Sequence, residues 1–321
     1  MILTKTPLRI SFVGGGSDRP SFYQEEPGAC VAAAIDKYVY VTVNPKYDGS
    51  IRAAYSVTEN VATVGELQHE LIREALRSVD RSRGIEIHSI ADIPAGTGLG
   101  SSSSFTVGLI KALENYQGRD RIWHKLADMA CDIEIGCCQK PIGKQDQYVA
   151  AFGGVHLYQF GTDGVVQVKP ITCDLDALSA HCLLFDTGLA RQGDAGQVLA
   201  AQQQGRDDVR ELARLAGLFA FVLARGDLEV CGSIMHDAWK IKRQFISMGV
   251  STDWDIALNA MYGVARHAGA WGGKLCGAGG GGFLLFLAPP ERHTAIVSAL
   301  CLRHVPIRVG VSGCEVVYSD G

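Results

Sequence analysis

A chain of 321 residues, 47% hydrophobic and 20% charged, is long enough for two ordinary domains or one large one, with a sizeable core. Its net charge of −4 offers no basic footprint for nucleic acid and no attraction to an anionic membrane. No apolar run reaches transmembrane length, and the opening MILTKTPLRI is too short and too soon interrupted for a signal peptide.

In chain order, residues 8–13 alternate as a strand and end in Gly14-Gly15-Gly16-Ser17-Asp18. Strands are predicted at 31–35, 38–43 and 51–57, and a helix at 65–79 with Leu67, Leu71, Ile72, Ala75 and Leu76 on one face. A strand at 84–90 runs into Ile93-Pro94-Ala95-Gly96-Thr97-Gly98-Leu99-Gly100-Ser101-Ser102-Ser103-Ser104, and a helix at 105–116 runs out of it. The next helix, 121–138, puts Glu134 on or beside its apolar stripe, where a carboxylate is costly unless paired or bound to a metal. A side chain reaching water from the stripe's edge is the plainer alternative. Pro141-Ile142-Gly143-Lys144-Gln145-Asp146-Gln147 turns into a short helix, followed by strands at 155–160 and 165–171.

A second region, from about residue 175, reads as a strand at 181–186 and helices at 207–224, 228–248 and 253–268. Residues 274–276, the glycine run 277–282 and a strand at 283–287 follow, then a helix from Pro289-Pro290 to 302 and strands at 308–311 and 315–318. The order of elements lacks a regular βαβ alternation, so the class is α+β, divided into 1–175 and 176–321. The ten cysteines include no Cys-x-x-Cys pair and no zinc spacing, which favours reduced thiols and a cytoplasmic protein.

Glycines 96, 98 and 100 let backbone N–H groups approach an anion, and the following helix start adds unpaired N–H groups and its positive dipole end. Taken alone, the same loop is also a flexible turn whose serine caps a helix. Phosphoryl transfer from ATP would need such a cradle, a magnesium, a cation at the transferring group and a carboxylate at the acceptor hydroxyl. Ser101 or Ser102 with Glu134 would suffice for magnesium. Asp146 is a candidate base, with Lys144 beside it in sequence to hold it ionised, or else a helix cap. Arg9 projects from the first strand, as ordinary strand-face arginines also do. No Walker-type Gly-x-x-x-x-Gly-Lys-Ser/Thr and no His-Arg-Asp loop is present. Spacing carries the reading as far as a nucleotide or phosphate enzyme and no further.

Three stretches in order resemble the GHMP small-molecule kinases, which include galactokinase, homoserine kinase, mevalonate kinase and phosphomevalonate kinase. They are Pro7-Leu8-Arg9-Ile10-Ser11-Phe12-Val13-Gly14-Gly15-Gly16-Ser17-Asp18, the Pro94-to-Ser104 loop, and the glycine run ending at Phe283. Within that superfamily the chain most resembles the D-glycero-D-manno-heptose 7-phosphate kinases, through Pro141-Ile142-Gly143-Lys144-Gln145-Asp146-Gln147-Tyr148, Ala34-Ile35-Asp36-Lys37-Tyr38-Val39-Tyr40-Val41 and Gly272-Gly273-Lys274-Leu275-Cys276-Gly277. The likeness spans residues 6 to about 290. It implies a two-domain GHMP kinase fold, with a left-handed βαβ crossover in the N-terminal domain, a ferredoxin-like C-terminal domain, and the site between them.

The resemblance also implies roles. Asp146 matches the catalytic Asp, with Arg9 at the transferred phosphoryl and Lys144 beside it. Glu134 with Ser101 or Ser102 matches the magnesium ligands, of which Ser102 and Glu134 are the pair chosen. Pro94, Gly96, Gly98, Leu99, Gly100, Ser101, Ser102, Ser103, Gly279 and Gly280 would hold ATP, and Gly15, Gly16, Ser17, Asp18 and Arg191 the acceptor. ATP and Mg2+ are the implied cofactors, and heptose 7-phosphate the implied acceptor, to give the 1,7-bisphosphate. A galactose- or fucose-type anomeric kinase, or a non-catalytic sugar and ATP sensor, are the alternatives; a homodimer stays open. The chain departs from the heptose kinases where they carry Gly-Gly-Gly-Thr-Asp-Leu-Pro, having Ser17-Asp18-Arg19, and where they carry Thr-Arg-Ser-Ala-Ser, having Ala190-Arg191-Gln192-Gly193-Asp194. Both departures fall on the acceptor side. Arg19, Lys37, Arg191, Lys240 and Arg243 are candidates to hold a sugar phosphate.

Overall fold

The computed structural model describes residues 1–81, 83–189, 201–203, 205–277 and 282–320. Its centre is one long antiparallel pair. Strand β1 (Ile2–Gly14) runs against β2 (Gly28–Pro45), linked by a four-residue helix α1 (Pro20–Tyr23). Strands expected at 31–35 and 38–43 are thus one strand, with a register shift between Pro7 and Leu8 where Asp36 and Lys37 interrupt the apolar pattern. β2 serves two neighbours. Its first half pairs with β6 and its second half with β5.

The expected 51–57 strand is a hairpin, β3 (Ile51–Ala54) and β4 (Thr58–Val61). Helix α2 (Glu70–Ser78) buries the apolar face read from its spacing and leads to β5 (Ile85–Ala91), parallel to β3. Helix α3 (Ser101–Tyr116) is buried on nearly every side against β1 and β2, and Gly108 lets it approach Thr6 closely. Helix α4 (Trp123–Cys131) continues as a π-helical turn (Asp132–Cys137), where an unbroken α-helix was expected. Helix α5 (Gln145–Phe152) then precedes the hairpin β6 (Val155–Phe160) and β7 (Val166–Pro170).

Helix α6 (Leu175–His181), unread in the sequence, is capped by Asp174 and leads to β8 (Cys182–Asp186). Helices α7 (Arg206–Leu223), α8 (Leu228–Ser247) and α9 (Thr252–His267) follow, then β9 (Gly272–Leu275), β10 (Phe283–Leu287), helix α10 (His293–Leu300) and β11 (Arg303–His304). These four strands form an antiparallel sheet in the order β11-β8-β10-β9. The expected strand at 308–311 is only a bridge from Val309 to Ile35. Strand β12 (Glu315–Ser319) pairs with the edge of β1, so the chain's end belongs to the eight-stranded sheet that its beginning founded. The architecture is α+β, with a large mixed sheet and a small antiparallel one, and the halves meet where β9 and α7 reach β1.

Candidate active site

Alternation along β1 sends Leu8, Ile10 and Phe12 into the core and turns Arg9 and Ser11 to the opposite face. That face lines a cleft of about 620 Å³, mouth included, walled also by Asp18, Asp146, Lys242 and Lys274. Arg9 is 5% exposed. Its Nε and Nη2 donate to the two oxygens of Asp146 at 2.7 and 2.6 Å, and its Nη1 to the Gly98 carbonyl at 2.6 Å. Burial alone would lower the guanidinium's pKa, but the Asp146 carboxylate outweighs it and the value stays raised. Asp146 stands in the first turn of α5 and spends its carboxylate on Arg9, not on capping the helix.

Lys144 was expected beside Asp146. Its ammonium instead donates to the Gly164 carbonyl at 2.6 Å and lies 5.1 Å from the Tyr23 ring centre, outside the residues walling the cleft. Two positions of sequence separation on a helix start are an angular offset large enough to aim the two side chains apart. Arg9 takes the place foreseen for Lys144.

The Pro94-to-Ser104 stretch turns through three glycines with φ near +80°, at 96, 98 and 100. Gly100 is the N-cap of α3, no side chain caps the helix, and no acidic residue sits in its first turn. The serine-cap alternative therefore fails, and the helix's first N–H groups are left for a ligand. A Cβ on Gly98 would lie 2.6 Å from the Cys276 carbonyl, and one on Gly277 2.6 Å from the Gly98 Cα. The two glycine loops are in backbone contact. Leu99 is buried, and its carbonyl accepts from the Arg9 N–H at 3.0 Å. Pro94 accepts from Thr97 Oγ1 at 3.1 Å, shaping the loop's first bend.

Glu134, within the π-helical turn, is fully buried. Its carboxylate accepts from Ser102 Oγ at 2.8 Å, Ser103 Oγ at 2.7 Å and Gln147 Nε2 at 2.5 Å. Burial raises its pKa in spite of those bonds. Ser102 is exposed at the helix start, whereas Ser103 is buried and its hydroxyl supports Glu134. Ser101 Oγ is buried without a hydrogen-bond partner. These donors fit magnesium: hard oxygens, one carboxylate short of counter-charge, and an unspent hydroxyl nearby. No group of three or more His, Cys, Asp or Glu that could hold a metal occurs among the described residues. Magnesium in a phosphate site needs none, since phosphate and water supply the remaining ligands.

On the cleft's other wall, Asp18 Oδ1 accepts from the Gly16 N–H at 3.0 Å and Oδ2 from the Gln145 N–H at 3.3 Å. Burial raises its pKa. A Cβ on Gly143 would overlap the Asp18 carboxylate, so glycine there makes room for Asp18 to sit beside α5. Gly15 and Gly16, both at positive φ, line the cleft. Ser17 does not. Its hydroxyl is fully buried and exchanges hydrogen bonds with the backbone of Ala29, at 3.1 Å each way. Arg191, Gly279 and Gly280 lie outside the described residues.

The cations foreseen for a sugar phosphate separate on inspection. Arg19 lines the cleft and donates to Gln202 Oε1 at 2.9 Å. Lys37 pairs with Asp36, Lys240 with Asp237 and Arg243 with Asp255, and none of the three lines the cleft. Lys242, between the last two, points inward. Its ammonium donates to the carbonyls of Gly277 at 2.6 Å and Leu275 at 3.3 Å. Lys274 donates to Ser11 Oγ at 3.4 Å. Sequence reasoning passed over both, although Lys242 falls on the stripe of Met235, Ala238, Trp239, Phe245 and Ile246.

Descriptions of the GHMP kinases' N-terminal and C-terminal domains match residues 67–154 and 206–305. D-glycero-alpha-D-manno-heptose 7-phosphate kinase of Campylobacter jejuni is 27% identical, over 93% of each chain. A mevalonate kinase of Methanothermobacter thermautotrophicus is 30% identical, over 81% of this chain and 83% of its own. A crystal structure described as a D-glycero-D-manno-heptose 1-phosphate kinase from Bacteriodes thetaiotaomicron superposes with a TM-score of 0.82 at 26% identity, covering 99% of this chain and 100% of the other.

Proposed function

Because the chain belongs to the GHMP kinases, we propose that this kinase moves the γ-phosphoryl of ATP to the anomeric hydroxyl of D-glycero-D-manno-heptose 7-phosphate. The observation that carries the reading is Arg9. Through one guanidinium it ties the phosphate loop, at Gly98, to the carboxylate of Asp146 at the edge of a cleft bearing Asp18.

The γ-phosphate lies against the N–H groups of the loop and the start of α3, with the cleft beyond it taking the acceptor. Asp18 accepts hydrogen bonds from sugar hydroxyls. The acceptor oxygen bonds to the γ-phosphorus as the bond to the bridging oxygen breaks, and ADP leaves with that electron pair. The hydroxyl's proton passes to Asp146, whose two oxygens Arg9 holds in a fixed plane. Two guanidinium N–H groups remain for charge on the transferred group. Magnesium would be held by Ser102 and Glu134 and would neutralise charge on the phosphate oxygens. Buried Ser103 and Gln147 keep the Glu134 carboxylate aimed.

ADP release measured against C6 and C7 sugars and their phosphates tests the acceptor. The heptose 7-phosphate is expected to give the highest kcat/KM; turnover of a free hexose in its place would overturn this choice. Asp146→Asn is expected to lower kcat by about 10²–10⁴-fold with ATP affinity within about twofold. Full activity in that variant would remove Asp146 from the base's role.

A further inference from the structure

We propose that Lys242 and Lys274, with Arg19 at the mouth, form a built subsite for a phosphate ester on the acceptor, which makes these residues the determinants of phosphorylated over free sugar. This rests on the kinase reading of the cleft. Among the described residues, four cations wall it (Arg9, Arg19, Lys242, Lys274) against two carboxylates, Asp18 and Asp146. Arg9 is paired with Asp146 and Arg19 feels the charge of Asp18, which leaves the two lysines with carbonyl and hydroxyl partners only. A phosphate monoester carries roughly −1.5 to −2 at pH 7, which matches that formal surplus.

Lysines 8% and 3% exposed with no carboxylate partner are costly to bury charged. Burial accordingly lowers both ammonium pKa values, that of Lys274 to about 8. A bound dianion removes this penalty, and a cleft shaped for a neutral sugar would have no use for it. Position separates the ester from the nucleotide. Lys274 sits by Ser11, which donates to Gln145 Oε1 at 3.3 Å, the residue whose N–H meets Asp18. None of the Pro94-to-Ser103 residues lines this cleft. Lys274 therefore stands on the acceptor side, and Lys242, whose ammonium also holds the Gly277 carbonyl beside Gly98, stands where the cleft meets the glycine loops.

The test is kinetic and thermodynamic, on the full chain. Wild type is compared with Lys242→Met and Lys274→Met, which keep length and remove a buried charge, using D-glycero-D-manno-heptose and its 7-phosphate. Each variant is expected to raise KM for the phosphorylated sugar about 10–100-fold, the scale of a lost charged hydrogen bond; Lys274→Met, whose ammonium meets Ser11 and not a glycine loop, is expected to keep KM for ATP within twofold and to change little on the free sugar. A matching rise in KM for ATP in Lys274→Met would assign the lysines to the γ-phosphate and overturn the proposal, as would an unchanged preference between the two sugars. Should wild type turn over neither heptose, the acceptor reading fails but the subsite is still read by calorimetry with mannose 6-phosphate, without nucleotide. Binding that Lys242→Met weakens at least tenfold supports the subsite; no binding to wild type, or equal binding to both, overturns it.

Discussion

At Glu134 three donors converge on a carboxylate with no exposed surface, and burial still raises its pKa. Between the ordinary glutamate value and that raised value the native state binds more protons than the unfolded one. Stability from this group therefore falls as pH rises through the window, and the ionised form is a net cost at neutral pH. Glu134→Gln keeps the volume and can keep the bonds, since the Ser102 hydroxyl can turn to accept from the new amide. The apoprotein of that variant is expected to melt at or above the wild-type temperature at pH 7.5, with the difference vanishing toward pH 4. Its stabilisation by Mg2+ with ATP should be lost and its kcat should drop steeply. A lower melting temperature for the magnesium-free variant, read by scanning calorimetry, would show the carboxylate to be structural and not a metal ligand held at a cost.

Elements explain why that carboxylate and the Pro94-to-Ser104 loop end up in reach of each other. The π-helical turn at Asp132–Cys137 changes the angular step of the helix where Glu134 projects. Spacing placed Glu134 beside an apolar stripe but could not show this turn, because hydrophobic periodicity of 3.6 is blind to one added residue. Glycines were more legible, since positive φ and close backbone approach leave few other choices. Even so, the contact of Gly98 with Cys276 and Gly277 joins loops nearly 180 residues apart and exists only in the fold. Lys242 and Lys274 were missed for a different reason. Their apolar neighbours read as core, and a lysine on such a stripe was passed over in favour of the exposed Lys240 and Arg243. Ser17 erred the other way, as a hydroxyl in a motif that the fold spends on Ala29. Gly98→Ala tests the loop contact. It forces an alanine to φ near +81°, about 1–2 kcal/mol against it, and sets its methyl against the Cys276 carbonyl. KM for ATP is expected to rise at least about tenfold with a smaller change in the acceptor's KM, both read by ADP release; an unchanged KM for ATP would mean the loop has no part in holding the phosphates.

Over the whole molecule, the two sheets do not behave as beads on a string. Strand β12 returns to the edge of β1, Phe219 of α7 stacks on Phe12 of β1 at 5.3 Å, and Lys274 of the small sheet reaches Ser11 of the large one. Each link removes apolar or hydrogen-bonding surface that would be exposed if one half melted first, so partial unfolding strips the other half of its neighbours. A chain of 321 residues with two sheets would ordinarily melt in steps. Here scanning calorimetry of the ligand-free protein is expected to show one transition, with calorimetric and van't Hoff enthalpies in agreement. On the proposed reading ATP with magnesium binds at the loop where Gly98 packs on Gly277, which joins the two halves, so at about 100 times its Kd it should stabilise by about 2.7 kcal/mol and move the whole transition upward. Two resolved transitions, of which nucleotide shifts only the first, would mean that the cleft is formed by halves that fold apart and that its geometry depends on how they dock.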